Sequence, residues 1–184
     1  MKPLVIHPQD SSTEFLRELY WKYEFDVLSD KDSNAVVKKA LQDHSRIMLL
    51  GHGTEGGLLS PYCGDQFGRL IIGPRHVDFL RGKEIIGIWC NANIFAYKYG
   101  LTGLFSGMII SEESEYFDNL GDYMDLRDIR KHNKRWTRDL EKLLFLGANL
   151  SEIPEKMKEK STGTALDEFN YGSLYYIVGG EDNE

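Results

Sequence analysis

Two side chains suited to covalent chemistry sit in matching local contexts in this chain. Arg46-Ile47-Met48-Leu49-Leu50 runs into Gly51-His52-Gly53, and Glu84-Ile85-Ile86-Gly87-Ile88-Trp89 runs into Cys90-Asn91-Ala92. A thiolate is a strong nucleophile, and a neighbouring imidazole lowers the thiol pKa or accepts its proton. If the two apolar runs are neighbouring parallel strands, thiol and imidazole meet at one edge of the sheet. Cys90 would then attack a carbonyl, His52 would take and return the proton, and backbone amides would hold the oxyanion. Gly53, without a Cβ, can bring its amide close to that oxygen. Each residue alone also has a plainer reading, Cys90 as a small apolar residue closing a core strand and His52 as a turn residue.

The elements that must position this pair alternate in type. Residues 3–7 form a short apolar run ended by Pro8-Gln9-Asp10. Ser11-Ser12-Thr13-Glu14 reads as a capping box opening a helix with Phe15, Leu16, Leu19, Tyr20 and Tyr23 on one face. Residues 25–28 suggest a second strand, and Ser33 caps a helix carrying Val36, Val37, Ala40 and Leu41. After His52, the glycines and the apolar pairs Leu58-Leu59 and Leu70-Ile71-Ile72 predict a small hairpin insert. Pro74 opens a short helix, Asn91 to Tyr99 a further one, and residues 104–110 another buried strand. Residues 125–145 carry charges and apolar residues at helical spacing, and 173–178 read as a last strand. Strands alternating with helices imply an α/β fold with a mostly parallel sheet covered on both faces. Ligands of such sheets bind at the carboxyl ends of the strands, where His52, Cys90 and Ser111 all fall.

That rim carries further candidates. Glu112, Glu113 and Glu115 follow the strand after Cys90, and with Ser111 and Asp10 they could line a substrate cleft that attracts a basic side chain. The alternative reading is a turn serine and solvated loop carboxylates in an acidic protein. His44 and His76 read as surface residues. Cys63, His76 and Cys90 are too few and too widely spaced for a zinc site, so no metal or other cofactor is expected.

With 184 residues, one domain is expected, and a net charge of −7 argues against non-specific nucleic-acid binding. The basic run 127–135 has interleaved Asp128 and apolar positions, as on the exposed side of an amphipathic helix. No stretch is apolar and long enough to span a bilayer, and the amino-terminal run is too short for a signal peptide. The expectation is a cytoplasmic protein with reduced thiols and no membrane partner.

A strand ending in His-Gly, followed by one ending in Cys, resembles the caspase-like cysteine peptidases, which include caspases, metacaspases, legumain, gingipains, separase and the CHAT domains. Ile47-Met48-Leu49-Leu50-Gly51-His52-Gly53 and Ile85-Ile86-Gly87-Ile88-Trp89-Cys90 carry the resemblance, which covers roughly residues 1–115. It implies a three-layer α/β/α domain, with 116–184 as a helical extension ending in a last strand. It also implies peptide-bond hydrolysis, with Cys90 as nucleophile, His52 as general acid/base and the amides of Gly53 and Cys90 as oxyanion hole. A peptide or protein would be the substrate, and a regulatory protein partner is compatible with the family. Ile88-Trp89 stands where caspases have Gln-Ala and where metacaspases and legumain place an acidic residue. The resemblance is therefore also compatible with a catalytically inactive binding or regulatory module. An α/β-hydrolase with Cys90 on a nucleophile elbow fits less well, since Ile88 and Ala92 replace the elbow glycines. Gly51-His52-Gly53-Thr54-Glu55-Gly56-Gly57 lacks the Lys-Ser/Thr of a P-loop.

Overall fold

The computed structural model describes residues 2–61 and 68–180; Cys63 lies outside them. In chain order the strands are β1 (Leu4–Ile6), β2 (Asp26–Leu28), β3 (Arg46–Leu50), β4 (Gly53–Thr54), β5 (Gly57–Leu59), β6 (Leu70–Ile72), β7 (Glu84–Ile88), β8 (Gly103–Ser106) and β9 (Leu174–Ile177). The main sheet has the order β2-β1-β3-β7-β8-β9, parallel except for β9, which runs antiparallel to β8. Strands β3 and β7 are apolar on both faces, as central strands of a covered parallel sheet must be. Their register pairs Arg46 with Glu84 and Leu50 with Ile88.

Helices cover both faces. On one side α1 (Asn34–Asp43), α2 (Val77–Leu80) and α3 (Ala92–Lys98) bury Val37, Leu41, Leu80 and Phe95 against Leu4, Ile47, Leu49 and Ile85. Then come α4 (Glu113–Leu120), α5 (Leu126–Phe145), α6 (Ile153–Lys158) and α7 (Ala165–Gly172). On the second face α5 to α7 and a 3₁₀ turn pack Trp136, Leu140, Met157, Tyr171 and Leu19 over Val5, Met48, Leu50 and Ile88. The Asp125 carboxylate starts α5 by accepting the Arg127 amide. The carboxyl-terminal third is thus part of the core and supplies β9. No helix among the described residues is long and apolar enough to cross a membrane.

Several expectations are corrected. Residues 11–23 form only a 3₁₀ helix, Glu14–Leu19, and the Ser11–Glu14 capping box does not form. Asp10 takes the amides of Ser12 and Thr13 instead, so the chain turns before a helix can start. The expected hairpin after His52 is a three-stranded antiparallel sheet, because Gly53–Thr54 adds a strand to β5 and β6. The strand expected over 104–110 stops at Ser106, since the Gly107 amide turns to Ser173 and side chains capture Ile110. His76, expected at the surface, is fully buried, accepting the Gly73 amide at Nδ1 with Nε2 on Asn34. Burial pushes the His76 pKa down to about 4. Helices α4 and α7 were not anticipated as separate elements.

α7 is locked to α5 by a buried carboxylate. Asp167, 1% exposed, receives His132 Nδ1 at 2.8 Å and also pairs with Arg135 and Thr162. Burial acts to raise its pKa, but the bonds from Thr162, His132 and Arg135 prevail and hold it at about 2. Its folded value is depressed, so its stabilisation is complete above the unfolded value of about 3.9 and disappears as pH falls through the folded one. Asp167→Asn should cost about 3 kcal/mol at neutral pH. Urea unfolding of both proteins from pH 7 downwards should show that difference shrinking below about pH 4.

Candidate functional site

His52 and Cys90 each lie two residues beyond the paired ends Leu50 and Ile88, and the Gly51 amide still bonds to the Ile88 carbonyl at 3.1 Å. Parallel strands are ~4.8 Å apart, so equal offsets bring the two residues to the same end of the sheet. Both line one small cleft, about 20 Å³, with Thr13, Ile109 and Ser111 among its walls. That is room for about one water molecule.

Asp10 sits beside His52 on the loop after β1. One carboxylate oxygen lies 2.8 Å from His52 Nε2; the other accepts the amides of Ser12 and Thr13 and the Ser12 hydroxyl. Burial acts to raise the Asp10 pKa, yet the bonds from His52 and Ser12 outweigh it and hold the carboxyl far below its usual range. The bond to Asp10 raises the His52 pKa against the opposing effect of burial, with Glu115 and Glu112 adding to the rise. The Asp10 contribution to stability is present above its unfolded value and lost on acidification. The His52 contribution is present below the unfolded imidazole value and lost as pH rises through the folded one. Both are complete together only between about pH 4 and 6.5.

This geometry sets the tautomer. Nε2 faces an ionised carboxylate and so keeps its proton, which leaves Nδ1 with the lone pair when the ring is neutral. Nδ1 has no hydrogen-bond partner among the described residues. Ser12 Oγ lies 2.7 Å from the same Nε2, so Asp10, Ser12 and His52 superficially look like a serine triad. Asp10 and Ser12 share one nitrogen, however, and Ser12 donates to Asp10. With no lone pair on Nε2, Ser12 cannot lose its proton there and serves instead to position Asp10.

Cys90 is a free thiol at the turn before α3. Burial pushes its pKa up to about 11, Glu115 adds to the rise, and the Ile109 amide opposes it. The Cys90 amide has no hydrogen-bond partner among the described residues. The Gly53 amide is placed by the β4–β5 ladder. Leu59 N–H bonds to His52 C=O, so the neighbouring Gly53–Leu58 pair is of the non-bonded kind, with the Gly53 N–H directed away from β5. Gly53 must be glycine here, because a Cβ would lie 2.0 Å from Trp89 Cδ1 and 2.6 Å from the Gly57 carbonyl. Trp89 itself is buried and donates its indole N–H to the Thr54 carbonyl at 3.0 Å, tying β4 to the Cys90 strand.

The rim acids are divided by α4. Ser111 is buried in the cleft wall and bonds to Glu115 through both its amide and its hydroxyl. Glu112 is the exposed residue preceding α4. Glu113 accepts the Leu126 amide and the Tyr123 hydroxyl, so its carboxylate is engaged at the start of α5. Glu115 is the acid whose charge reaches both Cys90 and His52.

Sequence reasoning missed the residues that hold the far wall. Asn170 accepts the Ile110 amide at 2.9 Å and donates to the Ile110 carbonyl and to Asn133; Asn133 donates to the same carbonyl. Both asparagines are buried, which fixes Ile109 and Ser111 against Cys90. The sole sequence signal was a polar residue on the apolar face of each helix. Asn170→Ala should leave the Ile110 N–H buried and unpaired, at a cost of about 2 kcal/mol. Thermal unfolding should register the loss, and amide exchange should show Ile110 stripped of protection.

Among the described residues no group of His, Cys, Asp and Glu is arranged to hold a metal ion. No family model, curated protein or solved structure matches the chain.

Proposed function

We propose that the chain is a caspase-like cysteine peptidase that hydrolyses peptide bonds with Cys90 as nucleophile and His52 as general acid/base. One observation carries this reading: a carboxylate-oriented imidazole and a thiol end neighbouring parallel strands in equal register and line one cleft. The family assignment rests on the resemblance of the two strand motifs and on the α/β layering that accompanies them.

Neutral His52 takes the thiol proton at Nδ1 as Cys90 Sγ attacks the scissile carbonyl carbon. The amides of Gly53 and Cys90 receive the oxyanion. The imidazolium then protonates the leaving amine as the C–N bond breaks, giving a thioester. Water, deprotonated by His52, attacks the thioester, and the returning proton restores the thiol. Asp10 is a positioning residue that keeps Nε2 protonated and Nδ1 toward the reaction. Glu112 and Ser111 are the rim groups nearest in sequence for recognising a substrate.

The second reading is a catalytically inactive caspase-like module that binds a regulatory partner. A thiol pushed up to about 11 and a cleft of about 20 Å³ favour it, because among the described residues the thiol is protonated at rest and the space beside it is small.

The two readings separate by pH dependence. In the peptidase reading, alkylation of the Cys90 thiol by a peptide fluoromethyl ketone, with loss of fluoride, should rise with pH through the elevated His52 pKa. His52→Ala should slow it by about 10²–10⁴-fold. Asp10→Asn should shift that rise to lower pH, since the largest cause of the elevation is removed. In the inactive reading, labelling should follow the Cys90 thiol alone, climbing without a plateau toward pH 11 and equally in all three proteins.

A further inference from the structure

A large open space lies at the opposite end of the sheet from His52 and Cys90. It is a trough of about 890 Å³ across the amino ends of β3, β7 and β8, beneath the carboxyl end of α5 and the 147–150 connection. Side chains alternate along a strand, so Arg46 lies on the face of Met48, and Glu84 on that of Ile86. Both belong to the α5 side of the sheet. Met48 and Ile86 form the floor, and Phe25, Leu144 and Leu150 the wall. Gly82, Gly103, Gly147 and Ala148 line it without bulk, which leaves the space unfilled. Its volume is that of a small-molecule site, typically about 300–1,000 Å³.

The charges select a ligand. Arg46, Lys83 and Glu84 are the charged lining residues among those described, giving one net positive charge. The Lys83 ammonium is committed to the carbonyls of Leu41, Gln42 and His44 at the end of α1. Arg46 pairs with Glu84 through Nε at 3.1 Å, and its two terminal nitrogens have no partner among the described residues. A guanidinium with two free terminal nitrogens matches a carboxylate in geometry as well as in sign.

We propose that this trough binds a small amphipathic anion, a medium-chain acyl or aryl carboxylate, with the apolar body on Met48, Ile86 and Leu144 and the head on Arg46. The site is physically separate from the thiol cleft and does not rest on the peptidase reading. Calorimetric titration of the full chain with octanoate, octylammonium and 1-octanol tests it. Octanoate should saturate one site and bind about fivefold or more tightly than octylammonium. Arg46→Gln, at an exposed position, should remove that preference while octanol binding stays unchanged. Ile86→Trp should fill the floor and abolish binding of all three. Absence of a saturable site for octanoate would overturn the proposal. So would octylammonium binding as tightly as octanoate, or octanoate binding equally in the wild type and Arg46→Gln.

Discussion

The register of β3 against β7 is the constraint from which the rest of the site follows. Five consecutive pairs from Arg46–Glu84 to Leu50–Ile88 are fixed because alternate residues on each strand enter different cores. Ile47, Leu49 and Ile85 pack beneath α1 to α3, while Met48, Leu50 and Ile88 pack beneath α5 to α7. A slip of one residue would exchange these sets and turn each face toward the wrong helices. The same register places His52 and Cys90 at equal distances beyond the last pair, so burial in the middle of the sheet sets the chemistry at its edge. At the other end it pairs Arg46 with Glu84 at the mouth of the trough.

Electrostatics at the rim work against spontaneous ionisation of the thiol. Asp10 favours the charged form of His52, which in turn favours a thiolate nearby, but burial and Glu115 act on Cys90 in the opposite sense. The resting cleft therefore holds a protonated thiol beside an oriented imidazole. In the proposed peptidase reading, proton transfer from such a pair accompanies attack on a carbonyl rather than preceding it.

Behind the cleft, a buried polar layer gives the wall its rigidity. Asn133 and Asn170 hold the chain at Ile110, while Asp167 binds α7 to α5 through His132 and Arg135. Partly satisfied, such groups would destabilise the domain; satisfied, they specify one arrangement of the helices. The carboxyl-terminal third thereby shapes a site whose reactive residues come from the first half of the chain.

Local sequence determined the apolar runs of β3 and β7, the reactive residues after them, the Ser33 cap and the long helix α5. These are legible because strand burial, capping and 3.6-residue periodicity are written in neighbouring positions. The α/β layering followed from their alternation. Tertiary structure alone decided that Asp10 bonds to His52 and that Ser12 supports it. It also decided that Trp89 requires a glycine at position 53, that His76 is buried, and that Asn170 holds the chain before Ser111. Each of these joins residues distant in the chain, and their partners are chosen by the packing of sheet and helices. A carboxylate or amide has the same local appearance whether it faces water or another segment.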